Sequence, residues 1–219
     1  MARRLAIGLL AAAVLASSAL ASANDPKKRY NAADLAWARA IRIQRADLPG
    51  AGWKLQRSQN NSDYAPKGCG SPNLSDLVQT GKAENPDFTR SGSFVGSGSW
   101  IFASEREATA AWTRMSKVPL APCMVAALRA GMEPTGVTLA ISSTREVHRG
   151  LAPHEFGSSI AFSARGPAAK IAGRVGYYMY GRGRAIGAVM VVSLGKPFRP
   201  LPPTLEQQLS ALVAQRLRR

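Results

Sequence analysis

Apolar residues recur with two different periods along the chain, and the change of period divides it. From Asn31 to Gln44 the period is helical: Ala33, Trp37 and Ile41 share a stripe, and Asn31 and Asp34 are spaced like a capping box. "ADLPGAGW" then predicts a turn through Pro49 and two glycines, and residues 56 to 68 are polar enough for a loop. Ser71 and Pro72 predict the start of a short helix carrying Leu74, Leu77 and Val78, with Gly81 as its stop. Phe94 to Phe102 predicts a strand with Trp100 and Phe102 on one face, weakened by Gly96 and Gly98. Ser104 and Glu107 then fit a capping box, and Ala108, Ala111, Trp112 and Met115 form a buried stripe. Pro119 ends that helix, and Pro122 suits the first turn of another running to Gly131.

Beyond Gly131 the period falls to two. Val137, Leu139 and Ile141 alternate with polar neighbours; so do Ile160 and Phe162, and Ile171, Val175, Tyr177 and Met179; "AIGAVMVVSL" closes the series. These predict four strands of an antiparallel meander, with "GRGR" at 181 to 184 as the last hairpin turn. "KPFRPLPP" leads to a terminal helix, with Thr204 and Gln207 as a capping box and Leu205, Leu209, Leu212 and Val213 facing inward. The expected fold is α+β: an antiparallel sheet of about five strands packed against helices, forming a single domain from residue 24 to 219.

Residues 1 to 23 stand apart. Arg3 and Arg4, an uncharged apolar run and Ala21-Ser22-Ala23 read as an export signal, with retention as an uncleaved membrane anchor as the alternative. The mature chain, near 196 residues, would bury roughly 70% of its unfolded surface. An exported compartment changes the reading of the cysteines. Cys69 and Cys123 are the only two, and an even count outside the cytoplasm points to one disulfide. A redox pair or metal site is the alternative, but neither cysteine lies in a C-x-x-C motif or near a histidine.

The formal charge is +16; without Arg3 and Arg4, 27 basic residues face 13 acidic ones, a balance of +14. In an exported protein this directs the expectation away from nucleic acid and toward anionic envelope polymers, lipid headgroups or an acidic partner. The candidate surface is the strand from Lys170 to Arg182. Alternation places Lys170, Arg174, Tyr178, Tyr180 and Arg182 on one face, where cations and aromatic rings can hold an anionic or sugar-like ligand. The same pattern also suits the solvated face of a one-sided sheet.

Catalytic readings fail on spacing. His148, His154 and Glu155 in "HRGLAPHE" have no third metal ligand fixed by spacing and read as a surface turn. "GRGRAIG" lacks the phosphate-loop pattern and a following helix, and "FVGSGSW" lacks the G-x-S-x-G elbow. No catalytic, metal or cofactor site is expected.

Taken together, "ADLPGAGW", a cysteine beside a short helix, "SWIFASEREATAAWTRM", a second cysteine, a meander and a terminal helix resemble the actinobacterial secreted domains related to the extracellular sensor domain of transmembrane serine/threonine kinases. The resemblance spans residues 46 to 218 in order of elements. It implies an antiparallel sheet flanked by helices, disulfides, a cleft for an unidentified ligand, and no catalysis. The sequence departs from the kinase sensors in having two cysteines rather than four, in lacking a tryptophan in "VPLAPC", and in carrying no kinase domain. The combined expectation is a non-catalytic binding or sensor-like domain at the cell envelope. The alternatives are a basic factor adhering to acidic wall polymer or, less favoured, an unrecognised enzyme.

Overall fold

The computed structural model describes residues 24–56, 69–70, 72–84, 87–132, 136–166, 170–195 and 201–219. The leader lies outside them, as does almost all of the polar segment 56 to 68. The elements run β1 (Lys27–Lys28), α1 (Ala32–Ile41), a 3-10 turn (Arg45–Asp47), β2 (Lys54–Gln56), β3 (Val78–Glu84), β4 (Asp87–Arg90) and β5 (Ser93–Phe102). Then come α2 (Glu105–Met115), α3 (Leu120–Met132), β6 (Thr138–Glu146), β7 (His154–Arg165), β8 (Lys170–Arg182), β9 (Ala185–Gly195) and α4 (Pro203–Arg216).

One sheet gathers all nine strands in the order β1-β3-β5-β9-β8-β7-β6, with β4 pairing β5 and β2 extending from β4. Every pair is antiparallel except β1 with β3. The expected α+β class therefore holds, while the expected count of about five strands was too low. Its four-stranded meander is β6 to β9. The missed strands β1, β2 and β4 are two to four residues long, too short for alternation to register.

Helices cover both faces. β9 lies between β5 and β8, and every residue from Ala185 to Leu194 is buried. Its odd positions, including Val189 and Val191, join a core with Ile41 of α1 and Leu205, Leu209 and Val213 of α4. On the other face, Met190 and Val192 pack with Met124 and Leu128 of α3, and Ile186 and Ala188 with Ala111 and Trp112 of α2. This two-sided burial explains the nearly continuous apolar run of "AIGAVMVVSL".

Local chemistry sets the helix ends. Asn31 accepts from the Asp34 backbone N–H at 2.8 Å, and Ser104 accepts from that of Glu107 at 3.2 Å, both as expected. α4 differs: it starts at Pro203 without a side-chain cap, so Thr204 lies inside the helix. Proline at a helix start needs no donor there.

The short helix expected after Ser71 is instead a turn leading into β3. Residues from Val78 onward alternate between partly buried and buried and pair with β5, and that pairing prevails over a three-residue helical stripe. Gly81 is no helix stop. A Cβ there would lie 2.4 Å from the Asp34 carbonyl oxygen, so glycine allows α1 to press its backbone onto β3.

Candidate ligand cleft

The five residues of the cation and aromatic face do not form one open surface. Tyr178 and Tyr180 are 1% and 0% exposed within the core beneath α4, Arg174 and Arg182 are half-buried, and only Lys170 is exposed. Alternation sorted these residues to the correct side of β8. It assumed a solvated sheet face, however, and α4 covers this one.

Beneath α4, Arg174 and Tyr178 take part in a polar cluster. Glu206, 2% exposed, accepts from the Tyr178 hydroxyl at 2.8 Å and from Arg174 at 3.1 Å, while Arg149 lies 3.9 Å from the same carboxylate and over the Tyr178 ring. Arg174 also donates to Ser159 at 3.0 Å. Burial, followed by the Glu206 charge, raises the Tyr178 pKa. Glu206 sits in the first turn of α4, where the helix dipole favours an anion. These contacts fasten α4 to the sheet.

"HRGLAPHE" folds onto itself. Glu155 accepts from the backbone N–H groups of Arg149 and Leu151, and His154 stacks on Trp112 with ring centroids 5.5 Å apart. Among the described residues, no group of three His, Cys, Asp or Glu side chains could hold a metal ion.

Cys69 and Cys123 form the disulfide, with Cα atoms 5.4 Å apart. Cys123 lies in the first turn of α3, so the bond fastens that helix to the segment leading into β3. A cleft of about 290 Å³ lies beside it, between the α2–α3 pair and the sheet.

Missing side chains form the floor of this cleft. Gly96 and Gly98 of β5 and Ala188 of β9 all line it, and Gly98 pairs with Ala188 in the β5–β9 register. Phe94, Trp100 and Phe102 flank the glycines on the same face of β5. Met115 and Met124 come from the helices, Met179 and Met190 from the sheet; Trp100, Phe102, Phe156 and Tyr177 add aromatic surface. Methionine adapts to irregular shapes, and its sulfur contacts rings favourably. Cys69, Gly70 and Pro72 line the disulfide side, while Asp25, Lys28, Lys82, Glu84 and Asp87 supply the charges.

Tyr177, which alternation assigned to the core, lines the cleft and is half-buried. Its hydroxyl lies 3.9 Å from the Met179 sulfur, a weak acceptor. Burial, with a smaller contribution from the Glu84 charge, pushes its pKa up to about 12, so it offers a neutral phenol at ordinary pH. The described lining includes no histidine, and its cysteine is bonded.

Sequence reasoning missed this site, although its trace was visible. Gly96 and Gly98 looked like weak points of a strand; two glycines on one face, flanked by large aromatics, also mark a hollow. That Ala188 lies beside them depends on the β5–β9 pairing, which no local pattern encodes.

Fold and cleft define a helix-flanked, mostly antiparallel sheet domain held by one disulfide. No protein-family model and no curated protein matches the sequence. Among solved structures, the fold is similar to the extracellular domain of PknH from Mycobacterium tuberculosis, with a TM-score of 0.49 and 9% identity over 84% of this chain and 95% of that one. PknH is a transmembrane serine/threonine kinase, the class that the sequence resembles. At this degree of likeness, neither ligand nor activity transfers.

Proposed function

We propose that the protein is a non-catalytic, sensor-like binding domain of the cell envelope, and that the cleft beneath α2 and α3 is its ligand site. The observation carrying this reading is the hollow of about 290 Å³ floored by Gly96, Gly98 and Ala188. Binding sites are concave and largely apolar, with a few polar groups to orient the ligand. The methionine and aromatic walls, with Tyr177, Lys82 and Glu84 among the polar lining residues, have this composition. Export through the N-terminal leader belongs to the same proposal; among the described residues no helix is long and apolar enough to cross a membrane.

A second reading, adhesion to acidic wall polymer, has a different location. Arg165 and Lys170 are exposed and directly opposed across β7 and β8, and Arg145 is exposed on the same face. Like charges placed opposite one another cost stability unless an anion lies between them.

Incubation with fractionated envelope extract at moderate salt, followed by mass spectrometry of the bound material, separates the two readings. The cleft reading predicts one selectively enriched molecule retained as salt rises. Broad capture of polyanions that disappears with salt supports adhesion and removes the cleft reading.

A further inference from the structure

The polar groups lining the cleft are unevenly satisfied. Lys82 lies 2.8 Å from Glu84, the Tyr30 hydroxyl donates to the Gln79 carboxamide oxygen at 3.0 Å, and Asp87 is buried with a partner of its own. Tyr177 is less well served. Among the described residues its hydroxyl meets the Met179 sulfur, at 3.9 Å, and a thioether is a weak acceptor. A better acceptor stands close by. Ser158 faces Tyr177 directly across β7 and β8 and is 1% exposed, yet its hydroxyl has no partner among the described residues. The phenol has therefore turned away from Ser158 and toward Met179, which lines the cleft as Tyr177 does.

The sheet register locates that hydroxyl. Gly98, Ala188 and Met179 form one row across β5, β9 and β8, and Gly96, Met190 and Tyr177 form the next row on the same face. By reaching Met179 from its own row, the Tyr177 hydroxyl comes to the β8 end of the floor made by Gly98 and Ala188. Burial keeps it protonated at ordinary pH, with its pKa pushed up to about 12, so it is a donor. Around it, Met115, Met124, Met190, Trp100 and Phe156 offer apolar surface. A donor among such walls favours an occupant that brings its own acceptor. Resting on the cleft reading above, we infer that the ligand is an apolar molecule with a carbonyl or similar acceptor oxygen, which takes the Tyr177 hydrogen bond in place of the Met179 sulfur. The methionine and aromatic walls select its apolar body, and Tyr177 selects its oxygen.

Two probes that differ by one carbonyl oxygen test this. Indanone and indane share a flat bicyclic skeleton, and each is titrated into the purified full chain labelled on its methionine methyls and on the hydroxyl-bearing ring carbon of tyrosine. Met115, Met124, Met179 and Met190 line the cleft, whereas Met132 lies in the core outside the described lining. Both probes should give saturable shifts at the four cleft methyls and leave Met132 still, and indanone alone should move the Tyr177 ring carbon, assigned by its loss in Tyr177→Phe. In that variant, indanone should bind about three- to tenfold more weakly, the worth of one hydrogen bond, and indane as before. A still Tyr177 carbon with indanone, or a Tyr177→Phe change that affects both probes alike or neither, overturns the inference about the acceptor and leaves the cleft reading standing. Silence of all four cleft methyls with both probes, or uniform shifts that include Met132, removes the cleft reading itself. So do shifts that persist in an Ala188→Leu variant of unchanged unfolding temperature, in which the floor is filled.

Discussion

Arg184 and Asp34, 150 residues apart in the chain, meet in a two-pronged ion pair with N–O distances of 3.0 and 3.2 Å. Arg184 belongs to the β8–β9 hairpin turn and also donates to the Phe102 carbonyl, while Asp34 sits in the first turn of α1. The contact therefore ties a hairpin, a strand end and a helix start together. A second such pair joins Arg216 of α4 to Asp47 of the 3-10 turn, with both N–O distances at 2.7 Å. Arginines that appeared to be surplus charge are in these cases structural ties.

Acid should loosen these ties. Burial opposes ionisation of Asp34, but hydrogen bonds from Thr80, Arg184 and Asn31, together with the Arg184 charge, outweigh it and hold the pKa at about 2 against an ordinary 3.8. Asp47 is lowered in the same sense by Arg216 and the Gln44 backbone, again against burial. A depressed folded pKa contributes stability that is fully present above the unfolded value and is lost as pH falls through the folded one. Denaturant unfolding followed from pH 5 to pH 2 should therefore show falling stability, with a shallower fall in Asp34→Asn. At pH 7 that variant should lose about 2–3 kcal/mol, below the range for fully buried pairs because Arg184 is partly exposed. An unchanged acid profile in Asp34→Asn would remove this account of Asp34.

Glu206→Gln should destabilise more than a surface change. It leaves the Arg174 and Arg149 charges facing an amide beneath α4, at a cost of about 2–4 kcal/mol. Hydrogen exchange should show the loss concentrated in α4 and β8. Protection unchanged in both would mean that the cluster does not fasten the helix.

Two glycines on neighbouring strands should respond differently to the same substitution. Gly81→Ala puts a methyl into the Asp34 backbone, which cannot yield without moving α1, and should cost about 2–3 kcal/mol. Gly98→Ala is tight against the outer edge of the Trp100 ring at 3.2 Å, which can shift by a few tenths of an ångström, and meets the Ala83 carbonyl oxygen at an ordinary 3.8 Å. Its cost should stay below about 1 kcal/mol. Thermal unfolding of both variants measures the contrast, and equal losses would contradict the tight approach of α1 to β3.

Reducing the Cys69–Cys123 bond should lower stability by about 4 kcal/mol in the chain-entropy model for a separation of 54 residues. Because Cys69, Gly70 and Pro72 also line the cleft, ligand affinity should fall even under conditions where the reduced protein stays folded. Titration of oxidised and reduced protein at equal folded fraction checks this, and equal affinities would show that the disulfide side of the cleft is not needed for binding.

Where burial faces one side or helices carry clear caps, the fold was legible. The stripe of Ala108, Ala111 and Trp112 behind Ser104 gave α2, and alternation gave β6 to β9. The Cys69–Cys123 pair followed from the even count and from the expectation of export. What failed to show was long-range. Leu74, Leu77 and Val78 match a helical stripe, but strand pairing with Phe94–Phe102 outcompetes it. Tyr178 and Tyr180 alternate as an outward face would, and only the docking of α4 buries them. The cleft arises from the same cause, because Gly96, Gly98 and Ala188 become a floor only when β9 pairs with β5.

The central claim is that this floor receives a ligand. Native mass spectrometry of the wild-type protein and the Ala188→Leu variant, each incubated with the same envelope extract, tests it most directly. We predict one discrete adduct on the wild-type protein and its absence from an equally stable variant. The same adducts on both, or a salt-sensitive ladder of polyanions on both, would contradict the claim and leave the basic surface as the binding feature.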